Sequence, residues 1–258
     1  MSSGGQERSD PGKKSGGQER SDPGKKSGGQ ERSDPGKKSA LITGASGGIG
    51  SAIADALAPT HTLLLAGRPS DRLDAVATRL GATTWPLDLT DPDGIEAAAE
   101  PLAELDVLVH NAGVAYPGRF DDSTPEQWRA CFEVNVTGAV ALTQALLPAL
   151  RAARGHVVFI NSGAGLNASP GLAAYSASKF AQRAFADSLR ADVPELRVTS
   201  VHPGRVDTEM QQDLVAYEGG QYDPAKFLKP ETVARIVAEV IASPPDAHTH
   251  QVVVRPRG

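Results

Sequence analysis

Cys131 is the only cysteine in 258 residues. That rules out an internal disulfide and a thiol-rich metal site, and it fits a reducing compartment, so a cytoplasmic location is expected. No apolar run reads as long enough to span a bilayer, and no hydrophobic signal region follows Met1, so no membrane partner is expected. No large apolar residue occurs between Met1 and Leu41. A segment of that kind cannot offset the entropy of ordering itself.

That segment is a repeat. Residues 3–14, 15–26 and 27–38 each read SGGQERSDPGKK. The period is too short and too polar for a stacking solenoid. Residues 1–38 are therefore expected to form a disordered tail, whether a recent duplication or a start site placed upstream of the real one. The repeats hold nine of the 26 basic and six of the 31 acidic residues, which leaves residues 39–258 at net −8 within a chain of net −5. An acidic core argues against nucleic acid as a partner. The 220 residues beyond the tail suit one large domain.

Within that domain apolar runs alternate with amphipathic stretches. Strands are expected at Ala40–Ile42, Thr62–Ala66, Thr83–Leu87, Asp106–Val109, His156–Asn161, Arg197–His202 and Gln251–Val254. Helices are expected at Ile49–Leu57, Ser70–Leu80, Asp91–Leu105, from Thr124 to about Ala153, and from Tyr175 to about Asp192. Ser70 is placed to cap its helix, and Pro125 sits at a first helical position. Strands that read as continuous apolar runs between helices predict a parallel, doubly wound α/β sheet of about seven strands.

Three features carry chemistry. Between the first strand and the first helix stands Thr43-Gly44-Ala45-Ser46-Gly47-Gly48-Ile49-Gly50. Glycines let backbone approach a pyrophosphate, and the helix N-terminus behind them offers free N–H groups. Tyr175 and Lys179 lie four residues apart, which puts phenol and ammonium on one helix face. Ser162 precedes the tyrosine by thirteen positions. A free tyrosine titrates near about 10, and bringing it to about 7–8 takes roughly 3–4 kcal/mol of preference for phenolate, which a nearby cation can supply.

The spacing Gly-x-x-x-Gly-x-Gly at Gly44, Gly48 and Gly50 closely resembles the short-chain dehydrogenase/reductase family, in its shorter single-domain branch. The resemblance covers residues 39–258. Its other motifs follow in order: Asp88 after the third strand, Asn111-Ala112-Gly113 after the fourth, Asn135 in the long helix, Ser162, the Tyr175/Lys179 pair, and Pro203-Gly204 after the sixth strand. The resemblance implies a Rossmann-type domain that moves hydride between a nicotinamide cofactor and a carbonyl or alcohol. It gives Tyr175 the role of acid/base and Ser162 that of polarising the substrate oxygen. Lys179 would lower the tyrosine pKa and bond the nicotinamide ribose. Asn135 would hold a water that resupplies the proton, and its poorly helical Asn-Val-Thr-Gly setting predicts a kink that exposes a backbone carbonyl.

The resemblance also implies a cofactor cleft. Gly44, Ser46, Gly48, Ile49 and Gly50 form the phosphate turn. Asp88 and Leu89 are expected at the adenine, with Asn111, Ala112 and Gly113 along the cleft. Pro203, Gly204, Val206 and Thr208 are expected at the carboxamide. Gly67-Arg68 follows the second strand in place of an acid, and a guanidinium suits a 2′-phosphate, so NADP(H) is expected over NAD(H), with Ser46 as a second phosphate ligand. His110 and His202 read as structural, and no metal is expected at His248 and His250, which alternate before the final strand.

The substrate wall is expected at Val114–Tyr116, Leu166–Pro170 and a loop from Met210 to Leu228 hinged at Gly219-Gly220. It suits an apolar ketone or aldehyde, or a β-ketoacyl thioester. Alternatives are an NAD-dependent alcohol or polyol dehydrogenase and a non-catalytic NADPH-binding sensor. Apolar surface on helices 139–153 and 174–191 predicts a homodimer or homotetramer.

Overall fold

The structure, a computed structural model, describes residues 36–257. The expectation of a disordered tail falls on residues 1–35, outside the described ones. The boundary set at residue 38 moves, because the first strand already begins at Lys38, which pairs with His61.

Seven strands form one parallel sheet in the order β3-β2-β1-β4-β5-β6-β7. They are β1 (Lys38–Thr43), β2 (His61–Gly67), β3 (Thr83–Pro86), β4 (Val107–His110), β5 (His156–Ile160), β6 (Arg197–Pro203) and β7 (Gln251–Val254). The order reverses between β1 and β4, so a crevice opens beyond the carboxyl ends of those two strands. β4, β5 and most of β1, β2 and β6 are buried throughout, as strands covered on both faces must be.

Helices α1 (Gly48–Leu57), α2 (Asp71–Leu80) and α8 (Pro230–Ile241) cover one face, where Ile53, Leu73 and Val237 join Ile42 and Leu65. Helices α3 (Pro92–Ala99), α5 (Gly138–Ala153) and α6 (Ala173–Asp192) cover the other, where Leu142, Leu146 and Ala186 join Leu41 and Phe159. Local sequence explains several helix ends. The Ser70 hydroxyl accepts the Leu73 N–H, and Gly81 ends α2 in the left-handed conformation. Thr124 and Gln127 form a reciprocal capping box ahead of Pro125, opening α4 (Pro125–Phe132).

Two expectations need correction. Helix α3 stops at Ala99 and does not reach Leu105, whose side chain is instead buried in the core as the chain turns toward β4. The stretch Pro125–Ala153 is one helix long and apolar enough to cross a membrane, by length and composition only. It was expected that none would be. Here it lies along the core, with Leu142, Leu146 and Leu150 fully buried.

That stretch is not uniform. Residues Glu133–Thr137 form a π turn between α4 and α5. The segment reads Glu-Val-Asn-Val-Thr, and three β-branched side chains crowd the preceding turn. The chain therefore departs from a regular α-helix at Asn135, where a kink is expected, by widening into a π turn.

Candidate active site

The glycine turn forms one wall of the crevice. Gly44 sits at φ 64°, and a Cβ there would lie 2.9 Å from the Ala112 Cα. A Cβ on Gly50 would run into the Gly44 carbonyl and the Asn111 amide. Asn111 braces the turn, donating through Nδ2 to the carbonyls of Thr43 (3.0 Å) and Gly44 (3.1 Å). The Thr43 hydroxyl accepts the N–H groups of Asn111 and Ala112, both at 3.0 Å. Asn111 thus locks β4 to the turn behind the crevice. Gly48, at φ 54°, faces the Thr208 methyl across the opening, and Ile49 packs into the core.

At the ends of β2 and β3, Arg68 is exposed and its charge is felt by Asp88. The Asp88 carboxyl is held below its ordinary range by the Thr90 backbone N–H, then the Thr90 hydroxyl and Arg68; it accepts both Thr90 bonds, at 2.9 and 2.8 Å. Leu89 is a core residue packed against Gly138. Val206 is also core, and its segment pairs with Leu228. Gly204 donates its N–H to the Val254 carbonyl at 2.7 Å, next to Pro203 at the end of β6. Thr208 caps α7 (Glu209–Tyr217) by accepting the Gln211 N–H. Arg72 and Glu209 form a two-point ion pair at 2.9 and 3.0 Å, with the guanidinium lying over Gly47.

This wall fits a dinucleotide. Bare backbone, where side chains would collide, opens into the N-terminus of α1, and a cationic side chain stands at the tip of β2.

At the other end, α6 carries Tyr175 and Lys179 one turn apart. The Lys179 Nζ lies 5.8 Å from the Tyr175 ring centroid. Ser162 follows β5, and its hydroxyl lies near enough to the phenol to oppose the rise in the Tyr175 pKa. Its segment is set by Asn161, which accepts the Ser162 N–H at 2.8 Å and donates to the Lys179 carbonyl at 3.1 Å. Lys179 is 3 % exposed. It donates to the Ile160 carbonyl at 3.0 Å and to Gln182 Oε1 at 3.0 Å.

Asn135 is fully buried. Its side chain accepts the Val114 N–H at 2.8 Å and donates to the Val114 carbonyl and the Ser178 hydroxyl, both at 2.9 Å. The carbonyl of Asn135 accepts from Gln182 Nε2 at 3.0 Å. Gly113 packs beside Asn135 Oδ1 and Lys179 Nζ.

The electrostatics depart from expectation. The phenol is not acidified: burial pushes the Tyr175 pKa above its ordinary value, with the nearby Ser162 hydroxyl opposing. Burial likewise pulls the Lys179 ammonium down to about 8. Both charged forms lose water, and that loss is the largest cause of each shift. His110, stacked on Phe159 at 4.9 Å and bonded to the Thr143 hydroxyl at 2.8 Å, is pushed down to about 3 by burial and then by Lys179. It is neutral and structural. Among the described residues no group of three His, Cys, Asp or Glu could hold a metal.

On the substrate side, α7 lies across the loop after Ser162, with Tyr217 over Gly171. Tyr116, Met210 and Tyr217 are exposed. Gly219, at φ 69°, ends α7, so the expected hinge is a helix stop. Reasoning from sequence missed Asn161, Ser178, Gln182, Arg72 and Glu209. A signal existed for two of them, since Ser178 and Gln182 are polar residues on the same helix as Tyr175 and Lys179.

The chain matches the short chain dehydrogenase family over residues 38–219. It is 37% identical over 201 residues to the dehydrogenase/reductase SDR family member 7B of Bos taurus, covering 70% of this chain and 62% of that relative's length. An uncharacterized oxidoreductase of Staphylococcus epidermidis is 31% identical over 227 residues, covering 84% of this chain and 96% of that one. An alcohol dehydrogenase from Thermococcus sibiricus, solved in complex with 5-hydroxy-NADP, superposes with a TM-score of 0.78 at 30% identity, covering 85% of this chain and 97% of that one. The chain therefore belongs to the short chain dehydrogenase family.

Proposed function

We propose that this protein reduces a ketone or aldehyde, or a 3-oxoacyl thioester, with NADPH. The observation that carries the reading is the convergence of Ser162, Tyr175 and buried Lys179 at one end of a crevice whose other end is bare glycine backbone. The bound cofactor supplies the hydride.

The protein's part follows from charge. Reduction of a carbonyl leaves an alkoxide, which needs a donor to orient it and a proton to neutralise it. Ser162 orients and polarises the oxygen. Tyr175 gives the proton. Burial keeps the phenol protonated through neutral pH, and an alkoxide is far more basic than a phenolate, so the transfer runs downhill. Lys179 steadies the phenolate left behind and takes the ribose hydroxyls. Asn135 ties the loop after β4 to α6, so that Val114 and Ser178 stay in register with the reacting pair. A water on the remaining lone pair of its carbonyl would return the proton.

Arg68 and Ser46 receive the 2′-phosphate, a preference supported by the NADP analogue in the Thermococcus sibiricus relative. Gly44, Gly48, Ile49 and Gly50 cradle the pyrophosphate. Asp88 with the Leu89 backbone meets the adenine, Asn111, Ala112 and Gly113 back the cleft, and Pro203, Gly204, Val206 and Thr208 frame the carboxamide. A homo-oligomer is part of this reading, supported by Phe180, which is 41 % exposed on α6.

The test is NADPH consumption across ketones, aldehydes, quinones and acyl thioesters. Tyr175→Phe should lower turnover on any accepted substrate by about 10²–10⁴-fold while NADPH still binds. Retained turnover removes the tyrosine from the mechanism. Arg68→Ala should cut the NADPH-to-NADH ratio of kcat/KM by about ten-fold or more, the worth of a charge-assisted phosphate contact.

A further inference from the structure

Gln182 is 1 % exposed, on α6, three residues after Lys179. Packing alone asks for an aliphatic residue there. A buried amide carries a desolvation penalty unless its polar atoms are partnered, and freezing a long side chain adds an entropic one. Both polar atoms of Gln182 are partnered, each by a group at the reacting end. Oε1 accepts from the Lys179 ammonium at 3.0 Å, and Nε2 donates to the Asn135 carbonyl at 3.0 Å. The reverse amide orientation would set N–H groups against the ammonium and an oxygen against the carbonyl, so the partners fix it.

The geometry points to Gln182 as a positioning residue: one side-chain amide spans from the Lys179 ammonium to the Asn135 carbonyl in the π turn, and it keeps that ammonium charged and in place beside Tyr175. An ammonium has three N–H donors. Ile160 and Gln182 take two, which leaves one for the reacting end. Burial already pulls Lys179 down to about 8, so each neutral acceptor matters to its charge near neutral pH. The titratable groups that Lys179 meets are Tyr175 on its own helix, Cys131 on α4, His110 in β4 and His202 in β6. Gln182 thus meets the ammonium as a neutral acceptor rather than as a counter-ion. An amide N–H is too weak an acid to pass a proton onward, so the span holds charge and does not conduct it.

The inference rests on the reading of Tyr175 and Lys179 given above, and its test is separable from that reading. The titration of Lys179 itself is followed by NMR of isotope-labelled lysine side chains against pH in the parent, Gln182→Glu and Gln182→Met, with a Lys179→Met version to assign the signal. Gln182→Met is close in volume and removes the acceptor, so Lys179 should lose its proton at lower pH than in the parent. A carboxylate at this position favours the ammonium, so Gln182→Glu should move the Lys179 titration up by about one pH unit or more. If Gln182→Glu does not fold, Gln182→Met decides. A Lys179 titration that is unchanged or raised in folded Gln182→Met overturns the assignment. Full turnover in Tyr175→Phe would instead overturn the catalytic reading and leave the titration result standing.

Discussion

Gly44 and Gly50 hold one end of the crevice by having no side chain, whereas Asn135, Lys179 and Gln182 hold the other by having long polar ones. At the glycine end the constraint is space: a Cβ would meet backbone, and the Asn111 side chain braces the turn from behind. At the reacting end the constraint is satisfaction. Buried donors and acceptors from β4, the π turn and α6 complete one another. The first kind of site tolerates no added atom, and the second tolerates no lost partner.

The sharpest way to break this contrast is Asn135→Ala. It strips partners from the Val114 N–H, the Val114 carbonyl and the Ser178 hydroxyl at once. The Ser178 hydroxyl keeps the Tyr175 carbonyl and the Val114 carbonyl keeps the Cys131 thiol, so only the Val114 N–H loses every partner. At about 1–3 kcal/mol for a group left unpaired and less for the other two, a stability loss of about 2–4 kcal/mol is expected by chemical denaturation. A loss under about 1 kcal/mol would mean that the reacting end is held by packing rather than by its hydrogen bonds.

Acid should act next most strongly, and through histidine. His110 and His156 are both pushed down to about 3 by burial, reinforced by Lys179 for the first and by Arg197 and then His248 for the second. In the unfolded chain each takes up a proton near pH 6.5, while in the folded chain each resists until about pH 3. Below about 6.5 the unfolded state therefore binds more protons, and stability falls as pH falls, by about 1.4 kcal/mol per pH unit for each group. Between pH 7.5 and 5.5 the two together should remove about 2–3 kcal/mol. His110→Gln should roughly halve that slope. A flat profile would show that these imidazoles are not held neutral.

The glycine end answers with Gly50→Ala. The added methyl meets the Gly44 carbonyl and the Asn111 amide, so backbone must shift. Overpacking of this kind costs about 1–3 kcal/mol, and nicotinamide cofactor affinity should fall with it. Unchanged affinity by fluorescence titration would mean that the turn is not the cradle.

What could be read in the sequence follows the same division. The glycine turn is contiguous and sits between a strand and a helix, so spacing alone announced it. The seven strands were apolar runs, and a parallel sheet needs little else. Tyr175 and Lys179 were visible because four residues on a helix is a local distance. Asn135 was visible only through the order of the family's motifs; the poor helix formers after it marked a break in the helix and not the role of the side chain. Gln182 escaped because its role depends on the π turn, 47 residues away. The acidity of Tyr175 was misjudged for a related reason. Spacing showed the cation nearby but not the burial that opposes it. Leu89 and Val206 were assigned to the cleft by motif order, yet their side chains point into the two cores.

One contact crosses the glycine end by side chains, and it should matter least. Arg72 on α2 and Glu209 on α7 pair over Gly47, with side chains 59% and 72% exposed. Water screens such a pair, and exposed pairs contribute about 0–1 kcal/mol. Glu209→Gln should therefore change stability by less than about 1 kcal/mol, and raising salt should shrink even that difference. Paired denaturation curves at low and high salt decide it. A larger, salt-insensitive loss would place the ion pair in the frame of the crevice, and the glycine end would then depend on side chains as the reacting end does.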